Sequence, residues 1–359
     1  MDVFRSSLRA TSPPALCRAT LALLAILLAG CTTAAAPTSF TGVGSPSATP
    51  VASSTPRVSS SPAASPSASP ASSAVAYPLT MVDDEGTTVT IPAEPHRIVS
   101  LTPATTETLF AIGVGDRVVG RTDFDDYPPE VSKVTAVASY TSVDVEKIVG
   151  LGADLVIAGG NHFNDPAAIA RLRDLGIPVL VVYAPDVETV LKDIDLVGEA
   201  VGAPAAAAVI TGAMQVDMDA VRAATASLPK PRVFYELDAT KDIYGPADGS
   251  FLAQMLTYAG ADPITTGSST VFSIPLERLV AADPQVIILG DAAYGTTAAQ
   301  VAARPGWAGM TAVRSGAIRP VDDTIVSRPG PRLAEGLRAL ALAVHPDLVL
   351  PSPAPSRVP

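Results

Sequence analysis

Cysteine, tryptophan and histidine are scarce in this 359-residue chain, at two, one and three residues. Both cysteines, Cys17 and Cys31, lie near the N-terminus, so the remainder forms no disulfide framework and holds no cysteine nucleophile. His96, His162 and His345 show no paired ligand spacing, which argues against a bare zinc or manganese site, and no metal site is expected. Basic residues are outnumbered, 24 Lys and Arg against 35 Asp and Glu. With no basic run anywhere, nucleic acid is not expected as a partner. A G-x-S-x-G elbow and a P-loop are both missing, and Gly113-x-Gly115 with Gly120 is not a dinucleotide fingerprint. The chain reads as a non-enzyme without a cofactor. Beyond the N-terminal segment, no apolar run is long enough to cross a bilayer.

What is present starts at the N-terminus. Residues 1–18 carry Arg5, Arg9 and Arg18 against Asp2, and TLALLAILLAG then leads to Leu28-Ala29-Gly30-Cys31. A positive start, an apolar core too short to span a membrane and small residues before the cut mark residues 1–30 as a secretory signal peptide. Cysteine directly after Leu-Ala-Gly makes the segment resemble the bacterial lipobox. That resemblance implies diacylglycerol on the Cys31 thiol and an extracytoplasmic chain anchored to the cell membrane by lipid. Removal of the signal leaves 21 basic and 34 acidic residues, a net charge near −13. Residues 32–76 are almost entirely Ala, Ser, Pro, Thr, Gly and Val, with Arg57 the only charge. Such a composition cannot build a core. Residues 31–76 are therefore expected to be a disordered tether, reaching on the order of 40 Å as a coil.

From residue 77 onward, strand-like runs alternate with helical patterns. RIVSL, DRVVGR and IPVLVV come before a long helical region, and RVFYEL and AIRPVD come after it. This alternation predicts an α/β fold with parallel sheets and helices on both faces. The expected organisation is an N-terminal lobe over 77–186, a helical linker over 187–229, a C-terminal lobe over 230–350 and a tail over 351–359. Pro204 divides the linker and leaves a helical stretch to Leu228 that spans roughly 36 Å. A strut of that kind predicts lobes that move little relative to each other.

The two lobes share a repeated unit. VEKIVGLGADLVIAG (Val145 to Gly159) and LERLVAADPQVIILG (Leu276 to Gly290) are identical at Glu146/Glu277, Val149/Val280, Ile157/Ile288 and Gly159/Gly290. In each copy a short helix precedes a run apolar enough to be buried on both faces. Each Glu follows a serine, Ser142 or Ser273, by four positions. That spacing places it in the first turn of a Ser-capped helix. A duplicated unit with one repeated acid predicts two lobes facing a common partner or ligand.

RIVSLTPATTETLFAIGVGDRVVGRTDFDDYPPE, VEKIVGLGADLVIAGG and SRPGPR together resemble the ABC-transporter solute-binding proteins for iron chelates and cobalamin, over nearly all of residues 78–346. The resemblance implies two Rossmann-like lobes joined by one long interlobe helix, with a metal chelate bound in the cleft between them. It implies a monomer that delivers a corrinoid or a ferric siderophore to an ABC permease dimer served by a cytoplasmic ATPase. Glu146 and Glu277 match the acids that dock onto permease arginines. Among candidate ligand residues, Phe124 follows the Thr-Asp of RTDFDDYPP, and Tyr140 stands where the cobalamin protein has a tryptophan. Tyr235, Tyr244 and Phe272 fall in loops or strand ends of the second lobe. Asn161 and His162 follow the strand of the first repeat, where open α/β sheets place ligands. Arg328 and Arg332 could grip ligand oxygens bidentately. The lack of cleft tryptophans departs from the cobalamin pattern, so the chelate stays open. A sensor that presents bound ligand to a membrane receptor would share these features.

Overall fold

The alternating pattern resolves into two parallel sheets in the computed structural model, which describes residues 75–354. The expected signal peptide, Cys31 and the expected tether through residue 74 lie outside the described residues, as do residues 355–359. The folded part enters through an antiparallel hairpin, β1 (Leu79–Val82) and β2 (Thr88–Ile91), which the strand pattern did not reveal. Its turn closes where Asp83 Oδ1 accepts the N–H groups of Glu85 and Thr87 at 3.1 and 2.7 Å. Gly86 takes the left-handed conformation there, with φ +78°. Just before the hairpin, the Tyr77 hydroxyl donates to the carbonyl of Ala200 at 3.1 Å.

The N-terminal lobe follows as β3 (Ile98–Ser100), α1 (Pro103–Ala111), β4 (Val118–Thr122), β5 (Thr135–Ala138), α2 (Val145–Gly150), β6 (Leu155–Gly159), α3 (Pro166–Asp174) and β7 (Val179–Val182). Its strands run parallel in the order β5-β4-β3-β6-β7. All five residues of β6 are buried, as expected for a strand covered on both faces. The order reverses beside β3, so the carboxyl ends of β3 and β6 flank a crevice. α1 starts there, with the Thr102 side chain accepting from the Thr105 N–H and Pro103 at the first position.

The linker is a helix pair. α4 (Val187–Ala200) is capped by Asp186 and buries Val187, Val190, Ile194 and Val197 along one stripe. A tight turn at Gly202, φ +77°, leads to α5 (Pro204–Thr225), whose 22 residues extend about 33 Å. The two helices approach closely because Gly198 has no side chain; a Cβ there would lie 2.4 Å from that of Ala207. α5 ends at Thr225, three residues before the expected Leu228. At the far end of α4, Arg117 donates to the carbonyls of Pro95 and Val201 at 3.3 and 3.0 Å. This ties the turn between α4 and α5 to the entry of β4.

The C-terminal lobe contains β8 (Arg232–Glu236), α6 (Phe251–Tyr258), β9 (Asp262–Pro263), α7 (Leu276–Ala282), β10 (Val286–Leu289), α8 (Ala298–Ala302), α9 (Thr311–Ser315), β11 (Ile318–Pro320), α10 (Asp323–Val326) and α11 (Leu333–Val344). Its parallel sheet has the order β11-β10-β8-β9. One apolar core runs from Ile98 and Leu155 through Ile210 and Met214 of α5 to Ile288 and Leu337. Each sheet also covers its outer face with a separate cluster, around Ile148 and Leu172 in one lobe and Trp307 and Met310 in the other.

The serine caps expected for the repeated helices are not formed. Asp144 caps α2 by accepting from the Lys147 N–H, and Pro275 precedes α7 without a side-chain cap. Ser142 instead lies 3.0 Å from the Ser139 hydroxyl within its loop, and Ser273 bridges to Tyr244. Among the described residues, no helix is long and apolar enough to cross a membrane.

Candidate functional site

The carboxyl ends of the N-terminal strands open into a cleft of about 460 Å³ between the lobes. Each strand exit supplies part of one wall: Thr102–Thr105 after β3, Phe124 after β4, Tyr140 after β5, Asn161–Phe163 after β6 and Tyr183 after β7. α4 contributes Asp193, Ile194 and Val197, and the C-terminal lobe closes the other side with Tyr294, Asp323, Ser327 and Arg328.

Local constraints fix these side chains. After β6 the chain turns through Asn161 and His162, both left-handed at φ 52° and 62°, a conformation that costs a non-glycine residue. Asn164 holds that turn, accepting the Gly159 N–H at 2.7 Å and donating to the Leu101 carbonyl at 3.1 Å. The Asn161 amide donates to the Tyr183 hydroxyl at 3.1 Å. Buried Asp125 anchors the turn carrying Phe124 by accepting the Thr106 hydroxyl at 2.6 Å and that of Thr122. Burial pushes its carboxyl above the ordinary range, against those hydrogen bonds. Phe124 and Tyr140 then stack with centroids 3.9 Å apart, and Phe163 meets Phe124 edge-on at 6.4 Å. Tyr140 is 74% exposed and Tyr294, across the cleft, is 85% exposed. Large aromatic faces left open to water on both lips suit a flat apolar body.

The arginines do something else. Glu107 of α1 is 2% exposed and accepts Arg332 Nε and Nη2 at 2.8 and 2.7 Å and Arg328 Nη1 at 3.0 Å. Arg328 also donates to both Asp126 oxygens, at 2.5 and 3.2 Å. That arginine holds the Asp126 carboxyl below its ordinary range. Arg332 lies 4.1 Å above the Tyr127 ring. Both arginines thus cross from the C-terminal lobe to acids of the N-terminal lobe. Arg328 is the sole lysine or arginine on the cleft wall among the described residues, and its charge is met twice.

Of the residues singled out from sequence, Phe124, Tyr140, Asn161, His162 and Arg328 line the cleft together. Four others do not. Tyr235 is fully buried in β8 with its hydroxyl donating to Asp323 Oδ1 at 2.8 Å. It faces the interlobe core because its side of the buried strand points that way. Tyr244 and Phe272 are partly exposed on a C-terminal surface loop, tied through the bridges from Tyr244 to Asp238 and Ser273. Arg332 sits behind Arg328, occupied by Glu107. Glu146 and Glu277 are exposed in the first turns of α2 and α7. Each of these helices leads into the next parallel strand of its sheet, so each begins at its sheet's carboxyl end. Phe163, Tyr183, Tyr294, Asp193 and Asp323 were not singled out. The repeat held a signal for two of them: Phe163 lies four residues past Gly159, and Tyr294 four past Gly290. Among the described residues no group of three or more His, Cys, Asp or Glu could hold a metal ion.

Residues 98–324 match the family described as periplasmic binding protein. An uncharacterized ABC transporter substrate-binding lipoprotein of Bacillus subtilis is 36% identical over 76% of this chain and 87% of its own length. A cobalamin-binding protein of Halobacterium salinarum is 32% identical over 76% of this chain and 75% of its own. Among solved structures, a periplasmic heme-binding protein from Roseiflexus sp. RS-1 superposes with a TM-score of 0.63 at 25% identity, covering 70% of this chain and 98% of that one.

Proposed function

This chain belongs to the periplasmic binding protein family, and we propose that it is the extracytoplasmic substrate-binding component of an ABC importer whose cargo is a corrinoid. The observation that carries the choice of cargo is the pairing of Arg328. The cleft offers aromatic faces, but its single arginine is committed to Glu107 and Asp126. Haem brings two carboxylates and a ferric catecholate brings several negative oxygens, and desolvating those charges without a free cation is costly. A corrinoid presents a flat macrocycle fringed with neutral amides, which stacked rings and polar loop groups can receive. The cobalamin named for the Halobacterium relative fits that chemistry.

Delivery follows the same reading. Glu146 and Glu277, exposed on the repeated helices, would meet basic sites on the two subunits of a permease dimer served by a cytoplasmic ATPase. Cys31 would carry the lipid, and the segment after it would tether a monomeric head to the membrane. Calorimetric titration tests the cargo, because the only tryptophan, Trp307, is 2% exposed in the outer C-terminal core and reports poorly on the cleft. Saturable binding of cyanocobalamin with no binding of hemin or a ferric catecholate is expected. Binding of hemin or the ferric catecholate without cyanocobalamin overturns the reading.

A further inference from the structure

We propose that Asp126 is the residue that excludes anionic chelates from the cleft: its carboxylate occupies the guanidinium fork of Arg328 in the place a ligand anion would take. The assignment rests on the corrinoid reading and names the side chain that sets the charge class of the cargo.

Arg328 and Arg332 share one buried carboxylate. The Glu107 side chain, 1% exposed, accepts two nitrogens of Arg332 but only Nη1 of Arg328. One negative charge against two positive ones would leave the cluster with a net positive charge. Arg328 lines the cleft, so a ligand would meet that charge there. Asp126 brings the balance to zero. It lies on the turn after β4 with its side chain 60% exposed, and its two oxygens take Nη1 and Nη2 of Arg328 at 2.5 and 3.2 Å.

This is the geometry an anionic ligand would need. Carboxylates and phosphates grip arginine through two parallel N–H···O bonds, and both terminal nitrogens of Arg328 already hold Asp126. A ligand anion reaching Arg328 must displace a carboxylate that the chain keeps beside it, or stand next to that carboxylate as a like charge. Tyr140 of the aromatic wall lies in the field of both Arg328 and Asp126, so a macrocycle stacked there brings its rim to this pair. A rim of neutral amides is indifferent to the exchange. An acid as exposed as Asp126 adds little to stability. The fold does not account for it, whereas the charge of the cleft does.

The test is calorimetry with hemin, hemin dimethyl ester and cyanocobalamin. Asp126→Asn keeps the shape of the side chain and removes its charge, and a second variant adds Arg328→Gln to it; thermal melts confirm that both are folded. In Asp126→Asn the affinity for hemin should rise about tenfold, the size expected for a hydrogen bond between charged groups. Affinities for the diester, which has the same ring without carboxylates, and for cyanocobalamin should stay within about threefold of wild type. Adding Arg328→Gln should abolish the gain. An unchanged hemin affinity in Asp126→Asn overturns the assignment, as does a gain that the diester shares or that survives the loss of Arg328. A wild-type protein that prefers hemin to cyanocobalamin overturns the cargo reading and the assignment with it. A wild type that selects cyanocobalamin, with an asparagine variant equally selective, overturns the role of Asp126 alone.

Discussion

Glu107, a buried acid, holds two arginines from the other lobe and through them sets the charge balance of the cleft and so the ligand it can take. Replacing it by glutamine leaves Arg328 and Arg332 facing a neutral amide inside the fold. Removing one partner of a buried pair costs a few kcal/mol; with both arginines about one-sixth exposed, a loss near 3 kcal/mol is expected for Glu107→Gln by urea denaturation. The same change releases positive charge beside the aromatic wall, so hemin should bind the variant measurably better than wild type. Asp193 provides a pH dependence of definite sign. Asp84 and Asp186 reinforce the upward shift that burial causes, and Lys192 opposes it. The folded protein keeps this proton to about pH 8, whereas the unfolded chain releases it near 3.8. Across that interval the folded state binds the extra proton, so stability falls as pH rises, and the loss is complete above about 8. Asp193→Asn should remove that slope, seen as a wild-type-minus-variant difference in unfolding free energy between pH 5 and pH 8. Residues at this scale were unevenly legible in the sequence. Phe124, Tyr140 and Asn161 could be placed because they directly follow strands. The partner of Arg332 could not, since Glu107 lies 225 positions away. Tyr235 failed for a different reason: a strand buried on both faces gives no alternation to say which way a side chain points.

The repeated helix-strand unit was the most legible element, because burial on both faces leaves an uninterrupted apolar run in β6 and β10. The pattern did not reach the caps. Asp144 intervenes before α2, and Pro275, lacking an N–H, sets the start of α7. The β1–β2 hairpin escaped notice because its strands are four residues each and sit among turn-forming residues. α8, α9 and α10 are too short, at four or five residues, to show a helical period. For α2 and α7 the expected result is functional. Glu146→Ala with Glu277→Ala removes two exposed charges, each worth about 0–1 kcal/mol to stability. Melting and ligand affinity should therefore change little, while uptake in a reconstituted system and permease binding in detergent fall sharply. Normal uptake by the double variant would remove the docking role and leave the two acids as favourable charges in a first helical turn.

At the scale of the whole molecule, continuity matters most. α4 and α5 are embedded in the same apolar core that both sheets share, and the Glu107 cluster ties the lobes at a second place. Rotating one lobe against the other would have to open both. Ligand should close the cleft by only a few degrees, so scattering curves of free and cyanocobalamin-bound protein should superimpose; a large contraction on binding would contradict a shared core.

Where the chain enters this body also governs how the body can be moored. Tyr77 is fastened to Ala200, at the end of α4 that Arg117 ties to the entry of β4, whereas the cleft opens at the strands' exits. The described chain therefore enters the folded body on the side away from the cleft. If the proposed lipid on Cys31 holds the protein and its cleft is presented to a membrane permease, the body would have to turn over on that mooring, and the segment between would need to reach back along its full height. A folded body of about 280 residues is roughly 50 Å across, a distance that takes about 15 fully stretched residues to cover. Shortening residues 32–76 to about ten should thus yield a protein that stays on the membrane and captures cyanocobalamin normally but cannot hand it on. Uptake should return once about 20 residues are restored, whatever their sequence, because the requirement is one of reach.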